Sequence, residues 1–137
     1  MQTLFLLILL TQNGAGDINA AFVTIPTRGQ CEQKALMVAS IFSSARIPIL
    51  ERRCIQSGLR FTPFEHLAGS RAPRHFYLLE FNPQGVEIQP QHDWRTCMQT
   101  QRAWRKEGRR VYCASSTQQP GGGSSALPAG VQRPGDG

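Results

Sequence analysis

Several signatures that would announce a function are absent from this chain. No apolar run reaches the ~18–20 residues that a membrane-spanning helix needs, which excludes an integral helical membrane protein. The four cysteines, at 31, 54, 97 and 113, form no CxxC pair, so neither a zinc ribbon nor a thioredoxin-type redox motif is written here. No P-loop, dinucleotide fingerprint, nucleophile elbow or HExxH is present. No pair of carboxylates sits where one element would present both inward for acid–base work. Lysine is almost missing: of 15 basic residues only Lys34 and Lys106 are lysine and the rest are arginine.

What is present begins with charge. The formal net charge is +6. Arginine suits bidentate phosphate contacts, so a nucleic-acid partner is one reading. An arginine-, alanine-, glycine- and proline-rich composition also follows simply from a GC-rich genome, and charge excess alone speaks to solubility and non-specific binding. From Ser115 the chain reads SSTQQPGGGSSALPAGVQRPGDG, with almost no large apolar residue. Such a segment cannot bury enough surface to offset its ordering entropy, and residues 117–137 are expected to be a disordered tail. The remainder is enough for one core.

Comparing the chain with itself exposes a pattern. FLLILLTQNG (Phe5 to Gly14) lies over FYLLEFNPQG (Phe76 to Gly85). Both are apolar runs closed by a polar turn ending in glycine, the mark of a strand entering a hairpin. Aligned on Cys31 and Cys97, Phe22 meets Ile88 and Thr27 meets Asp93. Thr and Asp are good helix N-caps, and Gln30 would complete a capping box with Thr27. A helix follows each cap. The first places Cys31, Ala35, Val38, Ala39 and Phe42 on one stripe; the second places Trp94, Cys97, Met98 and Trp104 on one side, with Gly108 as its stop. A short strand then carries the second cysteine of each copy.

The predicted architecture is therefore α+β: two strand–strand–helix–strand units, residues 1–57 and 75–116, joined by a linker over 58–74. They should form one mostly antiparallel sheet of about six strands with two helices on one face. If the units pack about a pseudo-twofold axis, a groove forms between the helices or at the sheet junction. Each unit brings a helix cysteine near a strand cysteine, so Cys31–Cys54 and Cys97–Cys113 are the natural disulfides. Closing loops of that size stabilises by about 3 kcal/mol each on the chain-entropy model. Alternatives are reduced buried cysteines, or a Cys/His metal site using His66, His75 or His92, against which the spacing speaks. No cofactor and no metal are expected.

LFLLILL (Leu4 to Leu10) also has the length of a signal-peptide core, with Gly14-Ala15-Gly16 as a cleavage region, although no basic residue precedes it. Its counterpart FYLLEF in the second unit cannot be a signal, which favours a retained strand. The two readings leave the compartment open between host cytoplasm and export.

On the second helix Arg95, Arg102, Lys106 and Arg109 form a basic ridge, with Arg105 and Arg110 nearby; this is the candidate nucleic-acid surface, against the alternative of a solvated helix face. Phe76, Tyr77 and Phe81 are either a base-stacking platform or core. His92–Asp93 is the nearest thing to an acid–base pair, but Asp93 already has a capping role.

The stretches LFLLILLTQNGAG, AFVTIPTRGQC and RRCIQ resemble the layout of small uncharacterised bacteriophage and bacterial proteins, over the first 57 residues. The resemblance implies no activity or site. The functional expectation is a small non-enzymatic accessory or protein-interaction module. A basic nucleic-acid-binding protein is the alternative, and an exported small enzyme or inhibitor is the third reading.

Overall fold

The structure is a computed structural model that describes residues 4–62 and 74–120. The expected tail beyond 120, the middle of the linker and His66 lie outside the described residues.

β1 (Phe5–Gln12) turns into β2 (Ile18–Ile25), α1 (Arg28–Ser44) follows, and β3 (Ile49–Gln56) returns to the sheet. The second unit repeats that order as β4 (His75–Asn82), β5 (Gly85–Gln91), α2 (Trp94–Lys106) and β6 (Val111–Ser116). Strand order across the sheet is β3-β1-β2-β6-β4-β5. Within each unit the first strand is central and its two neighbours run antiparallel to it. The registers coincide: Leu7 lies between Val23 and Cys54, and Leu78 between Gln89 and Cys113. The fold is α+β, with one mixed sheet carrying two helices on one face, as the sequence predicted.

The units do not meet about a twofold axis. The β2 edge of the first joins the β6 edge of the second, in parallel, through the single bridge Asn19↔Ser115. Unlike edges meet, so the arrangement is head to tail.

Alternation along the strands divides two layers. Leu7, Cys31 and Ala35 pack under α1, and Leu78, Cys97 and Cys113 under α2. The opposite face carries the main core: Leu6, Ile8, Leu10, Phe22, Tyr77, Leu79 and Phe81. No helix covers that face among the described residues. Instead the sheet curls over it. Glu51 on β3 and Arg110 just ahead of β6 are three strand spacings apart in sheet order, about 14 Å if the sheet were flat. Their side chains nevertheless meet at 2.7 Å, and the Arg53 guanidinium reaches Asn82 O at 3.0 Å. This is why the run Leu6–Leu10 is buried on both faces: β1 has α1 on one side and the curled interior on the other.

Thr27 and Asp93 cap the helices as expected, each accepting the N–H of the third residue on. The capping box is incomplete: Gln30 Oε1 accepts from the Thr27 hydroxyl at 3.1 Å rather than from its backbone. Both helices end in the same Schellman turn. Ile47 N–H reaches Phe42 O, and Arg109 N–H reaches Trp104 O. The left-handed position is Gly108 in α2 (φ 84°) but Arg46 in α1 (φ 59°).

Residues 117–120, grouped with the tail in the sequence reading, belong to the folded body. Gln118 is 1% exposed. Its side-chain oxygen accepts from Phe22 N–H at 2.9 Å, and its amide donates to Phe22 O at 2.8 Å and Thr62 O at 2.6 Å. Where β2 and β6 diverge beyond their one bridge, this side chain serves as the next rung. The linker ends are also packed, with Phe61 stacked on Phe22 at 3.9 Å.

Candidate functional site

The four cysteines pair as the two units dictate. Cys31 bonds Cys54 and Cys97 bonds Cys113, with Cα separations of 6.2 and 5.7 Å. In each pair the helix cysteine sits one turn past the cap and the strand cysteine on the row beneath it. Among the described residues no group of three or more His, Cys, Asp or Glu could hold a metal. His75 and His92 share the wall of one small hollow of about 190 Å³. Asp93 is engaged in capping α2. Its carboxylate accepts from Thr96 N–H at 2.8 Å and from the Thr96 hydroxyl at 3.1 Å, which holds it below the usual carboxylate range.

The basic cluster divides in two. Arg109 grips Glu80 with both faces of its fork, at 2.9 and 2.8 Å, and lies 3.7 Å over the Trp104 ring. This pairing lowers the Glu80 carboxyl and raises Arg109 further. Arg110 grips Glu51 at 2.7 Å on both oxygens, and the Tyr112 hydroxyl donates to the same carboxylate at 2.5 Å. Glu51 is 6% exposed, so this trio is the polar clasp that closes the curl. Arg105 donates to Val111 O at 2.9 Å and covers Tyr112. Arg95, Arg102 and Lys106 remain exposed on α2, with no carboxylate partner among the described residues.

The aromatic platform does not exist as a unit. Tyr77 and Phe81 are core, while Phe76 is half-buried and leans on Trp94 at 5.4 Å. Burial raises the Tyr77 phenol well above its ordinary value.

One surface feature was not read from the sequence, and a second was expected only in outline. The first is on α1. Leu36, Met37 and Ile41 are 62%, 52% and 59% exposed, on the side of the helix away from Cys31 and Ala35. Apolar residues are spread round α1; Met37 and Ile41 are one turn apart, and Leu36 lies on the β3 side, so the stripe that packs leaves these three outside it. The second feature is a groove over the seam between the units, on the helix-bearing face. It holds a hollow of about 670 Å³ next to one of about 460 Å³, sharing Asn13, Asn19, Arg74 and Ser115. Arg74 Nη2 donates to Asn19 Oδ1 at 2.6 Å and Ser115 Oγ at 2.8 Å across the seam. A groove between helices was foreseeable once two helices shared one sheet face; its position depends on which edges join, and no residue pattern announces that.

No helix among the described residues is long and apolar enough to cross a membrane. The chain matches no protein-family model, no curated protein and no solved structure.

Proposed function

We propose that the chain is a small, disulfide-held protein-interaction module without catalytic chemistry of its own, and that it recognises its partner through the outward face of α1. One observation carries this reading: Leu36, Met37 and Ile41 stand exposed on a helix whose opposite side is already packed. The fold does not require it. Aligned on the cysteines, α2 has Arg102, Ala103 and Glu107 at the same places and is equally well seated. We further read the two units as copies of one ancestral unit, a reading that their coincident registers support.

The partner that fits is an acidic protein segment with an apolar ridge. Lys34 and Arg46 bracket these residues in the chain, and Leu36 shares a hollow of about 340 Å³ with Arg52 and Arg53, which Glu32 also lines. The chain's charge of +6 favours encounter with such a segment. An accessory role of this kind also suits the resemblance to small bacteriophage and bacterial proteins.

The test is fluorescence anisotropy with a short helical peptide of Leu and Glu, beside its Leu/Lys counterpart. The acidic peptide should bind, and Leu36→Ser with Ile41→Ser should weaken it at least ~10-fold, about 1.4 kcal/mol. Equal binding of the Lys peptide, no binding, or indifference to the double change would sink the proposal.

The second reading, nucleic-acid binding, rests on Arg95, Arg102 and Lys106. Three phosphate contacts to a single strand imply a log–log salt slope of about −2. Reversing all three charges should abolish oligonucleotide binding if the ridge is used.

A further inference from the structure

We propose that the seam groove is a binding site for a small molecule that carries an oxyanion, carboxylate or phosphate, on a flat apolar body. This is independent of the α1 docking face.

The hollow of about 670 Å³ has the size of a small-molecule site, and its make-up follows the usual division: apolar walls with a few polar groups that orient. Leu9, Ala21, Phe42 and Ile47 supply the walls, and Arg46 and Arg74 supply positive charge at the same hollow. Arg74 is already oriented. Its Nη2 is tied to Asn19 and Ser115, and Nε and Nη1 meet no acceptor among the described residues. A guanidinium held by one corner presents its remaining edge to a carboxylate or phosphate at little entropic cost. Asp17 lines only the neighbouring hollow, which sends an anionic headgroup to the first.

Arg46 gives the independent observation. It occupies the left-handed position of the Schellman turn, at φ 59°, where α2 uses Gly108. A side chain there is strained relative to glycine. The strain has no structural return among the described residues: Arg46 makes no side-chain hydrogen bond or ion pair, and its side chain lines the groove. Backbone strain retained at a cavity wall is the pattern of a functional position. Thr117 also lines this hollow, and its Oγ1 is buried without a hydrogen-bond partner beneath it.

Both units build the site. Asn19 and Arg46 come from the first, Ser115 and Thr117 from the second. A ligand would therefore bridge the junction and stabilise the folded chain.

The experiment is an NMR titration of the full chain with 2-naphthoate and 2-naphthyl phosphate, with 2-naphthalenemethanol as the neutral control. At least one anion should bind, shifting the amides of Asn19, Phe42 and Ser115, while the alcohol binds at least ~10-fold more weakly. Whichever anion binds more tightly identifies the headgroup. Arg46→Gly relieves strain, so this variant folds and should melt no lower than the parent, yet lose about 10-fold in affinity. Ala21→Phe should block the groove without touching either arginine. Absence of binding by both anions, equal binding of the alcohol, shifts mapping elsewhere, or unchanged affinity in Arg46→Gly would each overturn the proposal.

Discussion

Gln118 should be worth more to stability than any other polar side chain at the junction of the two units. Its carboxamide satisfies Phe22 N–H and Phe22 O on the open edge of β2, and a second acceptor at Thr62 O. Backbone pairing of β2 with β6 is confined to Asn19↔Ser115, so these groups have no strand to fall back on. Gln118→Leu keeps the bulk and removes every side-chain hydrogen bond. Each orphaned buried group costs about 1–3 kcal/mol. Phe22 N–H and O are both in the core layer, whereas Thr62 O is only part-buried and can turn to water. The expected loss is about 2–6 kcal/mol, a large share of the ~5–15 kcal/mol that a domain possesses. Gln118→Glu keeps the acceptor and loses the donors, so it should also destabilise, by more than the loss of one neutral hydrogen bond. Urea unfolding followed by tryptophan fluorescence and by far-ultraviolet circular dichroism measures both. Trp94 and Trp104 report the second unit alone, and circular dichroism reports both units. If Gln118 couples the units, Gln118→Leu should lower the midpoint and separate the two curves. An unfolding free energy within ~0.5 kcal/mol of the parent, with coincident curves, would refute the reasoning.

Three further outcomes follow from the same structure. Replacing Cys97 and Cys113 together by alanine, or Cys31 and Cys54, should cost about 3 kcal/mol each on the chain-entropy model, read as a drop in urea midpoint that dithiothreitol reproduces in the parent. Glu80 is held below its ordinary value first by its hydrogen bonds to Arg109, so its contribution is present above the unfolded carboxylate range and lost as pH falls through the folded value; melting temperature should fall less steeply on acidification in Glu80→Gln than in the parent. Both tyrosines are raised, Tyr77 by burial and Tyr112 by burial and then by its bond to Glu51, so phenolate absorbance should develop at higher pH in the folded chain than in the unfolded one. Above the unfolded tyrosine value this preference for the neutral phenol becomes destabilising, and alkaline unfolding should release both groups together.

The parts of the fold that could be read in advance were those specified by local pattern. Apolar runs closed by Asn-containing turns, caps four residues before a cysteine, and a helix stripe are each set by residues close together in the chain. They yielded the strands, the helices, their order and the disulfide pairs. The misread parts are all matters of which distant groups meet. SSTQQP looks like tail because its residues are small and polar; Gln118 is buried because a gap between two diverging strands needs a carboxamide, and that gap exists only after the units join. Arg109 and Arg110 look like members of a basic ridge along with Arg95 and Arg102. Glu80 and Glu51, which claim them, are 29 and 59 residues away. The head-to-tail joining of unlike edges is likewise invisible to a comparison of the chain with itself, which shows that two units exist but not how they meet.

The places where the units agree and differ separate what the fold needs from what it does not. Register, caps, Schellman turns and disulfides agree, and each has a structural reason. Of three differences between the units, two have none. The exposed side of α1 is Leu36, Met37 and Ile41 where α2 is charged or small. The left-handed turn residue is Arg46 where α2 has the unstrained Gly108. The outer strand of the second unit carries Pro90 at the position of Thr24, opposite Tyr77 in register. The last has a physical reading. β5 is an open edge, and a proline without N–H blunts it against a further strand. Beyond β2 the first unit found a partner in β6; beyond β5 the series is closed, and the head-to-tail pattern stops at two. The other two differences cost the chain something, in exposed apolar surface and in backbone strain. They lie on α1 and at its C-terminal end, where Arg46 reaches the seam groove. A fold that has already shown, in its other half, how to avoid both costs is most simply explained if that half-surface is where the molecule meets its ligands.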